Sequence, residues 1–268
     1  MNGKKSLLKQ LNKHVALSDM LKMVKQLAPE AYQEDFSTVA YYPLLDSILA
    51  IADCTLFITS AGADYVYMSP TCEDMTGFTP QEFMQGGYHF FIKLVNTEDH
   101  DRIFLGAKLF YDVLNQTPLE QRKSVVAMQH YRVKRKNGEE MMLLIRAFIL
   151  DMDSSGKMVH LLNIGTDITG LKKMQQDNII VSIANYDNHS TVYTYNDTKE
   201  VEVHQQFLSD REVEIIKLLQ QQLSSKEIAE RLFVSPHTID THRRNLLEKT
   251  NTKDTTALVT YASLMGWV

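Results

Sequence analysis

The rhythm of apolar and polar residues changes three times along this 268-residue chain. Over 6–27 few helix breakers occur. Leu7, Leu11, Val15, Leu21 and Val24 form a loose helical stripe with lysines on the other side. Residues 28–42, bracketed by Pro29 and Pro43, read as a boundary. From Pro43 to about Lys173 the texture is mixed α and β. Two short β-rich runs, 55–59 and 64–68, flank Ala61-Gly-Ala, a hairpin signal. Short helices are then expected after Ser69-Pro70 and Thr79-Pro80, with Ser69 and Thr79 as N-caps and a proline at the first helical position. A longer helix begins after Asn96-Thr-Glu-Asp and runs through Phe104, Ala107, Leu109 and Tyr111. Three long strands come next, at 125–136, 139–150 and 157–166, the first pair joined at Lys136-Asn-Gly. This order predicts one curved antiparallel sheet with helices on one face. Residues 174–204 connect this sheet to the C-terminal region. They contain two β-rich runs, 179–184 and 191–195, separated by a turn-like Asp187-Asn-His-Ser, a candidate extra hairpin.

The last sixty residues, 205–268, return to a helical period. Ser209 with Glu212 three residues on is a capping-box signature, and Val213, Ile216 and Leu219 supply the stripe behind it. Ser224 or Ser225 caps a second helix reaching Leu232. After the short link Phe233-Val-Ser, Ser235 caps a third helix with Pro236 at its first position. Two helices joined this tightly make a helix-turn-helix. On the third, Ile239, Leu246 and Thr250 share one side, with Leu247 near them. His237, Asp240, Thr241, Arg244 and Glu248 share the other. That polar side suits a DNA major groove: Arg244 can donate two hydrogen bonds to guanine, and Asp240 can accept one from the cytosine amino group.

Charge qualifies this picture. The net charge is −5, and residues 205–268 hold eight basic and eight acidic side chains. A generic nucleic-acid binder is strongly basic, so the motif alone points to DNA. No apolar run approaches the ~20 residues of a bilayer crossing, and the N-terminus lacks signal-peptide features, so a cytoplasmic location is expected. Cys54 and Cys72 offer no disulfide framework or metal spacing. His89, His100, His130 and His160 occur without zinc-binding spacing, and no nucleotide-binding or hydrolase motif is present. Neither catalysis nor a resident cofactor or metal is therefore expected. Phe78, Phe83, Tyr88, Phe90, Phe91 and Phe104 either line a cavity or fill a core.

Two resemblances sharpen the reading. Tyr67-Met-Ser-Pro, Thr76-Gly-Phe-Thr-Pro-Gln-Glu-Phe, Tyr131-Arg-Val-Lys-Arg-Lys-Asn-Gly-Glu and Asn163-Ile-Gly-Thr-Asp-Ile-Thr stand in the order seen in the PAS sensor family. Arg211-Glu212, Lys226-Glu-Ile-Ala, Leu232, Ser235, Thr238-Ile239, His242, Asn245, Lys249 and Gly266 resemble the LuxR/GerE-type effector domain of bacterial regulators. The resemblance places Asp240, Thr241 and Arg244, with His237 beside them, at base-facing positions. It places Ser235, Thr238 and Lys253 against the DNA backbone and makes 255–265 the helix that often dimerises. Gln222 stands where that family usually has glycine, and Asp240 where it usually has a basic residue.

The expected fold is α+β: a helical segment at 1–42, a PAS-like sensor with flanking helices at 43–173, a connection at 174–204, and a small four-helix LuxR-type domain at 205–268. The expected function is a dimeric transcription regulator that binds double-stranded DNA and receives a small-molecule or protein signal at the PAS domain. The competing reading is an assembly protein whose helix-turn-helix has lost useful DNA affinity.

Overall fold

A computed structural model describes residues 49–50, 53–171, 179–184, 190–195, 200–205 and 207–268. The expected N-terminal helix at 6–27 and the boundary at 28–42 lie outside the described residues. The chain divides into two units, Met1–Thr169 and Gly170–Val268.

In the first unit the alternating runs become strands β1 (Cys54–Ser60), β2 (Tyr65–Met68), β3 (Val126–Lys134), β4 (Glu140–Met152) and β5 (Met158–Asp167). Among the described residues they form an antiparallel array in the order β2-β1-β5-β4-β3. The β3–β4 ladder runs without irregularity from Val126 opposite Phe148 to Lys134 opposite Glu140. Between β2 and β3 lie helices α1 (Thr71–Thr76), α2 (Pro80–Leu94) and α3 (His100–Gln116). Thr79 starts α2 with a complete capping box: its hydroxyl accepts from the Glu82 amide, and the Glu82 carboxylate accepts from the Thr79 amide. The α2 backbone is interrupted at Gly87, where φ is 58°.

Contrary to the sequence expectation, Ser69 does not cap α1; the cap position is Pro70, with no side-chain hydrogen bond. The Ser69 hydroxyl instead accepts from the Leu56 amide at 2.9 Å and shares hydrogen bonds with Thr55 and Thr71. A strand neighbour competes successfully for the hydroxyl, because a buried Leu56 amide left unpaired costs more than an uncapped short helix.

The aromatic set flagged from sequence packs against itself. Phe78, Phe83 and Phe90 meet edge to face with centroids 5.2–6.3 Å apart. Phe91 meets Tyr131 in the same way at 5.8 Å. With Phe57, Met75, Ile103, Phe104, Val133, Leu143 and Ile145 they make the core between the sheet and helices. Cys72 is 1% exposed within this core. Burial, then the Glu73 and Asp74 carboxylates, push its thiol up to about 12, so it serves as an inert packing residue.

Asp99, just before α3, anchors the helix layer to the sheet. Its carboxylate accepts from the Arg132 amide at 2.8 Å and from the Arg132 guanidinium at 3.0 and 2.8 Å. Arg102, one turn along, approaches it at 3.0 Å. The Asn96 amide donates back to the Arg132 carbonyl.

The second unit opens with strands β6 (Ile179–Ala184), β7 (Ser190–Tyr195) and β8 (Val201–Gln205), paired antiparallel in that order. The sequence pattern anticipates the first two and misses β8. Next come helices α4 (Asp210–Gln220), α5 (Ser225–Leu232), α6 (Pro236–Thr250) and α7 (Thr255–Leu264). Ile215, Ile216, Ile228, Ile239, Leu246, Leu258 and Tyr261 are at most 1% exposed and form their shared core. Within this unit the Trp267 ring meets Tyr261 edge to face at 5.2 Å and lies 5.0 Å from Phe207. Its indole N–H donates to the buried Ser182 hydroxyl of β6 at 3.4 Å.

Candidate nucleic-acid interface

Three serines start the three helices that build the motif. Ser209 and Ser224 each form a full capping box, with Glu212 and Glu227 respectively. Of the two serines open from sequence, Ser224 is therefore the cap of α5. Ser235 accepts from the Thr238 amide at 3.1 Å and shares a 2.9 Å hydrogen bond with its hydroxyl. Pro236 fills the first position of α6, where no amide is needed.

The stops of these helices account for an unusual feature of the sequence. α4 ends in paired hydrogen bonds from the Gln222 amide to the Leu219 carbonyl and from the Leu223 amide to the Leu218 carbonyl, the Schellman arrangement that needs a left-handed residue. Gln222 supplies it at φ 60°, which gives a physical reason for the glycine usual there. Phe233 ends α5 at φ 55° and Asn251 ends α6 at φ 50°; only asparagine among the three tolerates that region well. Gln222→Gly should therefore stabilise the second unit by about 0.5–1 kcal/mol, the relief of left-handed strain less the extra chain entropy of glycine. Chemical denaturation checks this, and an unchanged or lower midpoint would count against it.

On α6, Ile239, Leu246 and Thr250 are buried. His237, Asp240, Arg244, Asn245 and Glu248 are exposed, while Thr238, Thr241 and His242 are half-buried. The Thr241 hydroxyl donates to the His237 carbonyl at 3.0 Å. Ser235 is exposed at the start of the helix. Lys253 is also exposed, its ammonium 3.6 Å from Asp254, whose other carboxylate oxygen caps α7 by accepting from the Ala257 amide. The residues singled out from sequence thus lie along α6 and just past its end, with His237, Asp240 and Arg244 exposed and Thr238 and Thr241 half-buried.

The positioning roles of several residues escape sequence reasoning. The Arg243 guanidinium donates to Ser225 and to Thr255, each at 2.8 Å, and so ties α6 to the starts of α5 and α7. Its neighbour Arg244 has no such ties to α5 or α7 and stays exposed. A run of two arginines gives no hint of which is structural; the helical phase relative to Ile239 would have separated them. Arg211 donates to the Leu232 carbonyl at the end of α5. Lys249, near the end of α6, pairs with Glu212 at 3.0 Å and sits 5.3 Å from the Phe207 ring centroid. Burial works to raise the Glu212 pKa, but the Ser209 amide and the Lys249 ammonium outweigh it and hold the carboxyl below its usual range.

Comparisons with known proteins bear on both units. Residues 206–262 match the family described as bacterial regulatory proteins, luxR family, and residues 65–164 match the PAS fold. Over 55 residues the chain is 46% identical to the oxygen regulatory protein NreC of Staphylococcus carnosus, a match covering 20% of this chain and 25% of that protein. Over 75 residues it is 39% identical to the CsgBAC operon transcriptional regulatory protein of Escherichia coli, covering 28% and 32%. These matches thus span a quarter to a third of the relatives' length. Among solved structures, the Vibrio cholerae VqmA dimer aligns over 84% of this chain and 89% of its own at 13% identity, with a TM-score of 0.31. A sensory box histidine kinase/response regulator from Burkholderia thailandensis aligns over 47% and 85% at 18% identity, with a TM-score of 0.35. By the two family matches, residues 65–164 carry a PAS fold and residues 206–262 a domain of the luxR family of bacterial regulatory proteins.

Proposed function

We propose that the protein is a transcription regulator of the cytoplasm that binds double-stranded DNA through α6, under the control of a signal received at the PAS unit. The observation that carries this reading is the division of α6 into two faces. Ile239, Leu246 and Thr250 fix the helix from one side, and His237, Asp240, Thr241 and Arg244 lie on the other. Arg244 reads guanine, Asp240 accepts from cytosine, and Thr241 and His237 contact neighbouring edges. Ser235, Thr238 and Lys253 hold the phosphate backbone, which fixes register without reading sequence. A single unit contacts few bases, so the protein acts as a homodimer on two half-sites. The signal is a small molecule or a protein; it shifts which arrangement of the two C-terminal units is populated. The protein acts by binding and does not catalyse a reaction.

Replacing Arg244 by alanine tests the reading. Affinity for a selected operator should fall by about 1–3 kcal/mol, roughly 5- to 150-fold. Preference at one G·C position should relax as well. Fluorescence anisotropy with matched and mismatched duplexes measures both, and an unchanged preference would reject this role for Arg244.

Asp240 favours a second reading. An exposed carboxylate on the polar side of α6 opposes phosphate, which suits a C-terminal domain used for assembly rather than for DNA. In that case neither Arg244→Ala nor the wild-type chain would show salt-sensitive duplex binding.

A further inference from the structure

Strand β8 ends the order β6-β7-β8, so one of its edges has no partner strand among the described residues. Free strand edges are usually guarded by shortness, bulges, lysine, proline or a covering segment. β2, which ends the array of the first unit, has two such guards: four residues only, and a bulge in its ladder at Ile58/Thr59. β8 has neither. Its five residues, Val201-Glu-Val-His-Gln, include no lysine, proline or glycine, and its ladder with β7 runs without a shift from Tyr195 opposite Val201 to Thr191 opposite Gln205. Val203, at its centre, is 40% exposed. Glu202 and His204 flank it on the other face of the strand, their side chains 51% and 39% exposed.

We propose that β8 pairs antiparallel with β8 of a second copy about a two-fold axis at Val203, joining the β6-β7-β8 ladders of the two copies. The side chains select this occupant and this register. An antiparallel self-pairing centred on Val203 sets Val203 against itself and Glu202 against His204 twice over. Centring on Glu202 would oppose two carboxylates, and centring on His204 would oppose two imidazoles; like groups directly opposite destabilise a ladder. The Val203 register is thus the one of the three in which acceptor meets donor and apolar meets apolar. A two-fold pairing of one patch with itself closes at two copies. Within its own chain His204 Nε2 hydrogen-bonds Thr194 at 2.8 Å and lies 3.8 Å from Glu202, and its ring meets Phe207, which leaves Nδ1 as the atom that faces the partner's Glu202. Only residues 206–209 separate β8 from α4, so this junction sets how far apart two copies of α6 lie. That last consequence rests on the DNA-binding reading; the pairing itself does not.

Cross-linking of the full chain, without DNA, tests the pairing. Val203→Cys should form a covalent dimer under mild oxidation, with the 203–203 peptide identified by mass spectrometry. The wild type, whose Cys54 is half-buried and Cys72 buried, should not. In sedimentation experiments Glu202→Lys should raise the dimer dissociation constant roughly tenfold, and adding His204→Glu should restore it, with circular dichroism confirming that each variant folds. A monomeric wild type, a dimer in which no 203–203 link forms, or an unmoved dissociation constant in Glu202→Lys would overturn the proposal. Duplex binding measured on the same preparations separates the two claims. Binding without the cross-link rejects the strand pairing alone, and the cross-link without binding rejects the DNA reading alone.

Discussion

Trp267→Ala should destabilise the C-terminal unit by about 3–5 kcal/mol, the range for deleting a large buried aromatic. Trp267 is 5% exposed and packs between Tyr261 and Phe207 while its N–H reaches Ser182. Truncation removes all three contacts and leaves the Ser182 hydroxyl, which is fully buried, without its donor. For a unit of this size the loss corresponds to a fall in midpoint of on the order of 15–30 °C. Trp267 is the single tryptophan of the chain, so wild-type unfolding of this unit is visible by fluorescence and the variant's by far-ultraviolet circular dichroism. A shift under about 1 kcal/mol would mean that the space closes without loss, contrary to a close-packed core.

Asp99→Ala should cost the PAS unit about 3 kcal/mol, the low end for breaking a buried pair, because it strips the shared carboxylate from Arg102 and leaves Arg132 with the exposed Glu98. Asp99 is 4% exposed. Burial works to raise its pKa, but the Arg132 hydrogen bonds and the nearby Arg102 charge prevail and hold it below the usual carboxylate range. The depressed value sets the sign of the pH effect. A carboxyl with a depressed folded-state pKa contributes stability that is fully present above its unfolded value, about 3.9. That contribution is lost as pH falls through the lower, folded-state value. The variant should therefore lose stability near neutral pH and show a shallower acid limb than the wild type. Denaturant titrations from pH 2 to 7 measure both, and parallel acid limbs would contradict the assignment.

How far the fold can be read from the sequence depends on the range of the interaction involved. Thr79-Pro80 and Ser209-Glu212 are local signals; Ser209 forms the expected box, and Thr79 forms the expected cap, which Glu82 completes into a box. The alternation of β3 and the long apolar run of β4 are equally local. Ser69 misleads because its partner, the Leu56 amide, lies thirteen residues away. β8 escapes because five residues carry little pattern of their own and gain their status from pairing with β7. On the candidate site, the faces of α6 follow from helical phase. The roles of Arg243 and Trp267 do not, since their partners Ser225, Thr255 and Ser182 are brought near only by the fold. Gln222 shows a third case. The sequence marks a departure from the usual glycine, and only the backbone angle explains what the glycine is for.

Whether the polar side of α6 meets a duplex decides what the protein does. The most direct measurement is the affinity of the purified full chain for a selected operator as salt is raised from about 50 to 300 mM. Each phosphate neutralised contributes about −0.9 to the slope of log K against log salt. With eight basic and eight acidic residues in 205–268, a DNA-reading α6 should give sequence-dependent binding with a shallow slope, roughly −2 to −4 for each unit bound. Binding that is absent at low salt, or indifferent to both salt and sequence, would contradict that role.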